Sequence, residues 1–281
     1  MILHPILSIA KKEIMDNIRN KWLILFTVVF SALTLLSSYF GSLFSSGWQD
    51  FGGTIGAMTM FIQFFVPLIG LLLGYAAIIG EIERGSMSAL LSLPTTRLEI
   101  ILGKFLGLSG VIFITMFFGF GFAGIVIALN VPGANGIEYI AFMVATCLIC
   151  MVFLSAAFFF STIFKKRSTA IGGAIFLWLF FNLILPMVLT GLLFIGVSMS
   201  DLYTGSIVIP DWYYAVQLLS PWSAYSNFIQ MTVRPVSLGI GELLPQEYPW
   251  YYSPALMIAL LLIWIICFFL LSFWIFRRKD I

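Results

Sequence analysis

Three groups of residues in this chain of 281 have types and spacings suited to chemistry. Gly107-Leu108-Ser109-Gly110 has the form of a nucleophile turn, in which a serine attacks once a neighbouring base takes its proton. The sole histidine is His4, near the beginning of the sequence, and geometry must come before motif, so the pattern reads as a small-residue face for helix packing. Met143, Cys147, Cys150 and Met151 fall near one face of one apolar run. Soft sulfur of this kind suits Cu(I), whereas free cysteine is commonly a small hydrophobe, and C-x-x-C without a βαβ pattern is a poor redox motif. The weight falls on a bland apolar face, and no metal site is assigned. The third group is Gly80–Lys104, GEIERGSMSALLSLPTTRLEIILGK, too polar to cross a membrane and too apolar to be disordered.

These groups sit among long apolar runs. Hydrophobic residues make up 61% of the chain and charged residues 9%, with mean hydropathy +1.09. A soluble domain carries about 25% charged residues, so this chain takes lipid as its solvent. Six runs are long enough to span: Trp22–Phe44, Thr54–Ile79, Phe105–Ala128, Tyr139–Phe164, Thr169–Val197 and Pro254–Phe276. Every Lys and Arg except Arg234 falls into four clusters between or beside them: Lys11–Lys21, Arg84–Lys104, Lys165–Arg167 and Arg277–Lys279. Basic loops stay in the cytoplasm. The expected topology is therefore a single all-α membrane domain over residues 1–281, both ends cytoplasmic, in the cell membrane.

Leu3–Asn20 precedes the first run. Leu3, Leu7, Ala10, Ile14 and Ile18 recur at helical spacing, opposite Ser8, Lys12, Asp16 and Arg19, which predicts an amphipathic helix lying in the interface. Ser198–Ser253 forms the long outer connection. It is rich in Trp, Tyr and Pro, with Asp211–Leu219 and Ser223–Val233 expected as short helices at, or dipping into, the outer leaflet. Gly70–Gly74 and Gly103–Gly107 fit G-x-x-x-G, and Pro67 and Pro186 predict kinks. No Asp, Glu, Lys or Arg lies at mid-depth, which disfavours an ion relay; Gln63 and Asn182 are the chief polar candidates there.

Within Gly80–Lys104, Ile82–Leu93 can form a short amphipathic helix that packs Ile82, Leu90, Leu91 and Leu93 and is stopped by Pro94. Arg97 then begins a second short turn into the third span. Here the chain resembles the permease subunits of type-2 ABC transporters, whose pattern after the second span runs roughly G-E-x-E-x-G-[ST], two Leu, a Pro, an Arg and G-K. Gly80, Glu81, Glu83, Gly85, Ser86, Leu90, Leu91, Pro94, Arg97, Gly103 and Lys104 supply it. The likeness extends over the whole chain, and within the family it is greatest to NosY-type permeases.

The resemblance implies that Gly80–Lys104 is a coupling helix received by a separate ABC ATPase, with Glu81, Glu83, Arg84 and Arg97 offering charge-assisted bonds. ATP and Mg would belong to that partner; this chain would bind no cofactor. It has no phosphate loop, because Leu98 stands where G-x-x-x-x-G-K-[ST] needs its first Gly and Phe105 follows Lys104. Two copies of the permease are expected, as is an external β-helical partner if the NosY likeness extends to copper-site maturation of nitrous oxide reductase. The alternatives are a general exporter of lipid, drug or peptide on the same scaffold and, from another class, an ion-coupled secondary transporter. Nothing points to nucleic acid.

Overall fold

The computed structural model describes residues 3–18, 28, 31, 32, 35, 36, 39, 50–92, 94–195, 209–233 and 248–279. The described residues form helices joined by short turns, without strands among them. Five helical stretches are long and apolar enough to cross a membrane. The expected first span, Trp22–Phe44, lies largely outside the described residues; from it, Ser31 donates to the Gly119 carbonyl at 3.1 Å.

The chain runs α1 (Leu3–Ile18), α2 (Phe51–Gly74), α3 (Ile79–Glu83), α4 (Ser86–Leu91), α5 (Arg97–Asn130) and α6 (Gly136–Ile163). Then come α7 (Arg167–Leu179), a π-turn (Phe180–Ile184), α8 (Leu185–Ile195), α9 (Asp211–Gln217), α10 (Pro221–Thr232) and α11 (Pro254–Arg278). Side-chain caps fix most of the long helices' starts: Asp50 accepts from Gly53 N–H, Asn135 from Ile137 N–H and Ser253 from Leu256 N–H.

At the centre stands α6, whose buried face runs from Ala145 to Phe158. Against it lies α2, brought close by two glycines: a Cβ on Gly70 would sit 2.5 Å from the Cys150 carbonyl oxygen, and one on Gly74 would sit 2.7 Å from Ala157 Cβ. The Gly70–Gly74 pair is therefore a helix-crossing point, and Cys150 is part of that seam, its Sγ 3.5 Å from the Val66 carbonyl. Along the other G-x-x-x-G, α1 packs on α5. Ile9 and the Ile6 carbonyl crowd Gly103, Glu13 and the Ala10 carbonyl crowd Gly107, and Ile14 crowds Gly110.

The face of α1 packed on α5 keeps Ala10 and Ile14 of the expected apolar stripe. It consists of Ile6, Ile9, Ala10, Glu13 and Ile14, whereas Leu7, assigned to the apolar face, is 61% exposed. The small-residue stripe on α5 accepts backbone as well as side chains, and that choice, rather than hydrophobicity alone, sets the rotation of α1.

Each intramembrane proline has its orphaned carbonyl served from another element. Pro67 leaves the Gln63 carbonyl without a helical donor, and Trp178 Nε1–H of α7 donates to it at 3.4 Å. Pro186 follows the π-turn Phe180–Ile184, and Ser220 Oγ of the outer segment donates to the Phe181 carbonyl at 3.4 Å. The outer helix α10 inserts among the spans. Tyr225 is fully buried with its hydroxyl 3.1 Å from Thr146 Oγ1, a position about 15 Å along α6 from its start. The short outer helices run Asp211–Gln217 and Pro221–Thr232, close to the expected bounds, and the second of them dips into the bundle.

Candidate functional site

The segment Gly80–Lys104 departs from its expected form in two ways. Gly85, at φ +74°, breaks the expected Ile82–Leu93 helix into α3 and α4, because the left-handed conformation cannot continue a right-handed helix. Also, Arg97 does not open a short turn. It is the first residue of the 34-residue α5, about 50 Å long, which overruns the roughly 30 Å hydrocarbon core and carries two turns of span three out into the polar segment. Thr96-Arg97-Leu98-Glu99 forms a capping box, with Thr96 N–H donating to Glu99 Oε2 at 2.7 Å and Glu99 N–H to Thr96 Oγ1 at 3.3 Å. That T-x-x-E ahead of an apolar run is the signal that marks the true start.

Three clamps hold α3. Ser161 Oγ, fully buried at the end of α6, accepts the Ile78 and Ile79 N–H groups at 3.0 and 3.1 Å, occupying donors that a helix start leaves free. Arg167 closes the other end. Its guanidinium donates to the Gly80 carbonyl at 2.7 Å, its backbone N–H donates to Glu83 Oε1 at 3.0 Å, and its Nε lies 2.7 Å from Glu83 Oε2, in ionic contact though not aligned as a hydrogen bond. The third clamp is Lys104 of α5, whose side chain is 2% exposed. Its ammonium lies 2.6 Å from Glu13 Oε1 of α1 and 2.7 Å from Glu81 Oε1 of α3.

Lys104 thus joins the interfacial-type helix, the polar segment and the third span at one atom. The second oxygen of Glu81 is buried with no hydrogen-bond partner. Beside it opens a cavity of about 390 Å³ lined by Glu13, Asp16, Tyr75, Glu81, Arg84 and Lys104, among others.

Arg97 points away from this triad. It donates to the carbonyls of Phe276 (2.8 Å), Arg277 (3.2 Å) and Lys279 (2.7 Å), closing the C-terminal end of α11, and lies 5.8 Å over the Phe276 ring. Lys279 in turn donates to the Thr162 and Phe164 carbonyls at 2.7 and 3.3 Å. Burial, followed by the nearby Lys165, lowers its pKa.

Of the residues singled out in this segment, Glu81, Glu83, Arg97 and Lys104 are engaged within the chain. Leu90 and Leu91 are half-buried against the core. Arg84, Gly85 and Pro94 are exposed, together with Ser86, Ser88 and Ser92. Sequence reasoning gave little weight to Arg167 and none to Ser161 and Glu13. A lone serine at the end of an apolar run carries no local signal, and Glu13 gains meaning only once α1 lies on α5.

The sequence profile of the ABC-2 family transporter proteins matches residues 7–281. The chain belongs to this family. It is 32% identical over 289 residues to the probable ABC transporter permease protein NosY of Stutzerimonas stutzeri, covering 99% of both chains. It is 34% identical over 192 residues to the protein of the same name from Pseudomonas aeruginosa, covering 66% of this chain and 70% of the relative. It is thus an ABC-2 type permease with NosY-named relatives, and the family in general works with an ABC ATPase.

The remaining candidate groups of this permease lie on packed faces of their helices. Ser109 is 4% exposed, with Oγ unpartnered, beside the glycines that receive α1. Cys147 and Cys150 are buried, and Met143 and Met151 are half-buried against the same core. Among the described residues no three of His, Cys, Asp and Glu are grouped to hold a metal ion.

Proposed function

We propose that this permease is moved by a separate ABC ATPase that grips the Arg84–Gly85 turn and the outward face of α4. The observation that carries the reading is a contrast within a few residues. Ile79–Glu83 is clamped by Ser161, Arg167 and Lys104, whereas the next turn presents Arg84, Ser86 and Ser88 to solvent. A short element fixed to the spans at its root and free on its face suits the transfer of a rigid-body push. Lys104 passes that push to α1 and α5 together. ATP and Mg reside in the partner, the basic end of the bundle and both termini face the cytoplasm, and the protein sits in the cell membrane.

Two copies complete the pathway. Along Arg167–Ile195 the buried residues are few, and Phe176, Phe180, Leu183 and Met187 form an exposed stripe fit for a second copy. Closed two-fold assemblies are the commonest. The resemblance to NosY-type permeases extends this proposal to copper-site maturation of nitrous oxide reductase, through an outer β-helical partner received by the aromatic outer segment. There Trp250 is 95% exposed beside the packed tyrosines Tyr214, Tyr248 and Tyr252. The rival is export of lipid, drug or peptide on the same scaffold.

Co-purification with the ABC ATPase of its own organism tests the docking. Arg84→Glu with Ser88→Trp releases the ATPase while the protein keeps its monodisperse elution. Retention of the ATPase at wild-type stoichiometry overturns the assignment. Glu83 is left intact in this test, because its carboxylate holds Arg167.

A further inference from the structure

The cavity beside Lys104 opens between α1, the last turn of α2, α3 and α5, at the basic end of the bundle. At about 390 Å³ it falls within the size range of small-molecule pockets, about 300–1,000 Å³. Its walls differ in chemistry. One is acidic, formed by Glu13 and Asp16 of α1 and Glu81 of α3. The other is apolar, formed by Leu72 and Leu73 of α2 and Leu108 of α5. Leu108 lies one turn of α5, about 6 Å, further into the bundle than Lys104. Leu72 is 45% exposed, so the apolar wall continues onto the surface that faces lipid.

The charges in this lining do not balance. Three carboxylates face two cations, Lys104 and Arg84, which leaves one negative charge over. The Lys104 ammonium is already engaged between Glu13 Oε1 and Glu81 Oε1. Glu81 Oε2 remains, buried without a hydrogen-bond partner, and Asp16 makes no ion pair among the described residues. A carboxylate can only accept, and a buried acceptor without a donor calls for one from outside the chain. The occupant that fits must bring N–H groups and a positive charge to the acidic wall. It must also bring an apolar part to Leu72 and Leu73.

From this lining we infer that the cavity holds the headgroup of a phospholipid bearing a primary ammonium. Its N–H groups are donated to Glu81 Oε2 and Asp16, and its chains lie along Leu72 and Leu73. The lipid is a resident part of the permease, wedged where α1, α3 and α5 meet at Lys104, and distinct from any cargo. A quaternary ammonium headgroup carries the same charge but has no N–H to donate, so it leaves Glu81 Oε2 unsatisfied. The inference does not rest on an ATPase partner.

Native mass spectrometry of the full-length permease tests it. The purified protein is offered equal amounts of phosphatidylethanolamine and phosphatidylcholine with identical chains, and the lipid retained by each chain is counted. The ethanolamine lipid should be retained about tenfold over the choline lipid, the low end of what hydrogen bonds to a charged group contribute. Asp16→Asn with Glu81→Gln should bring that ratio to about one. Asp16→Asn alone, at an exposed position outside the Lys104 clamp, should lower it about threefold. Asp211→Asn, which changes an exposed carboxylate of α9, should leave the ratio at the wild-type value. Millimolar O-phosphoethanolamine, the same headgroup without chains, should leave the retained lipid in place. The inference is overturned if the wild type retains both lipids equally, or if either variant of the site keeps the wild-type ratio. It is equally overturned if Asp211→Asn loses the preference as well, or if the soluble headgroup displaces the lipid.

Discussion

Replacing Lys104 by Met removes one positive charge from between two carboxylates. Glu13 Oε1 and Glu81 Oε1 both lie within 2.7 Å of that ammonium, so without it they face each other in a site from which the lysine is almost wholly excluded from water. At an effective dielectric of about 20 each contact is worth roughly 6 kcal/mol in gross attraction. Desolvation of the three groups takes back several kcal/mol per ion, and the net cost of removing the shared partner is about 3–5 kcal/mol. Glu81→Gln is milder. Lys104 keeps Glu13, and the loss is the difference between a charged and a neutral hydrogen bond, about 1 kcal/mol. Thermal unfolding in nanodiscs at a fixed scan rate should rank the variants, with Lys104→Met well below Glu81→Gln. The triple variant Glu13→Gln, Glu81→Gln, Lys104→Met should recover most of the loss, because a neutral cluster of similar volume carries no unpaired charge. If Lys104→Met melts with Glu81→Gln, or the triple variant melts with Lys104→Met, the charge reasoning is refuted.

Gly107→Ala should detach α1, since the new Cβ would sit 2.6 Å from Glu13 Cβ and 2.8 Å from the Ala10 carbonyl, whereas Gly121→Ala meets nothing within 4 Å and should be neutral; protease protection of the N-terminal helix distinguishes them. Ser161→Ala strips the Ile78 and Ile79 N–H groups of their buried acceptor, for a loss of about 2 kcal/mol read as faster hydrogen exchange across residues 78–83. For Lys279 the folded pKa is lowered, so the native state sheds its proton before the unfolded state does. Wild-type stability relative to Lys279→Met should therefore rise with pH through the window that ends near the ordinary lysine value of 10.5, measured as the difference between their melting curves.

Much of the fold was legible because lipid demands long apolar runs and the basic clusters lie between them. Five of the six expected spans stand as long helices, and the short outer helices fall within a residue or two of their expected positions. The polar segment was legible as a place but not as a shape. Gly85 was visible, yet whether a glycine ends a helix depends on whether its neighbours need the left-handed turn. Thr96–Glu99 is a readable cap, and it starts the helix of span three eight residues ahead of the apolar run at Phe105.

The partners of Glu81, Glu83 and Arg97 were beyond sequence, because each lies on another helix and pairing follows from packing. Which face of α1 packs on α5 was beyond sequence for a related reason. Hydrophobic spacing selects an apolar face, but the close approach allowed by Gly103, Gly107 and Gly110 selects a small-residue one. The proline positions were clear in advance. That Trp178 and Ser220 would each serve an orphaned carbonyl required the tertiary arrangement.

The central claim is that nucleotide-driven movement of a separate ATPase enters this chain through α4. The direct measurement is the distance between a spin label at Ser88→Cys and one at the native, lipid-exposed Cys267, in the permease with and without its ABC ATPase and ATP. The account predicts a shift when ATPase and ATP are present together and none when either is withheld. The same shift without the ATPase, or no shift with both, would contradict it.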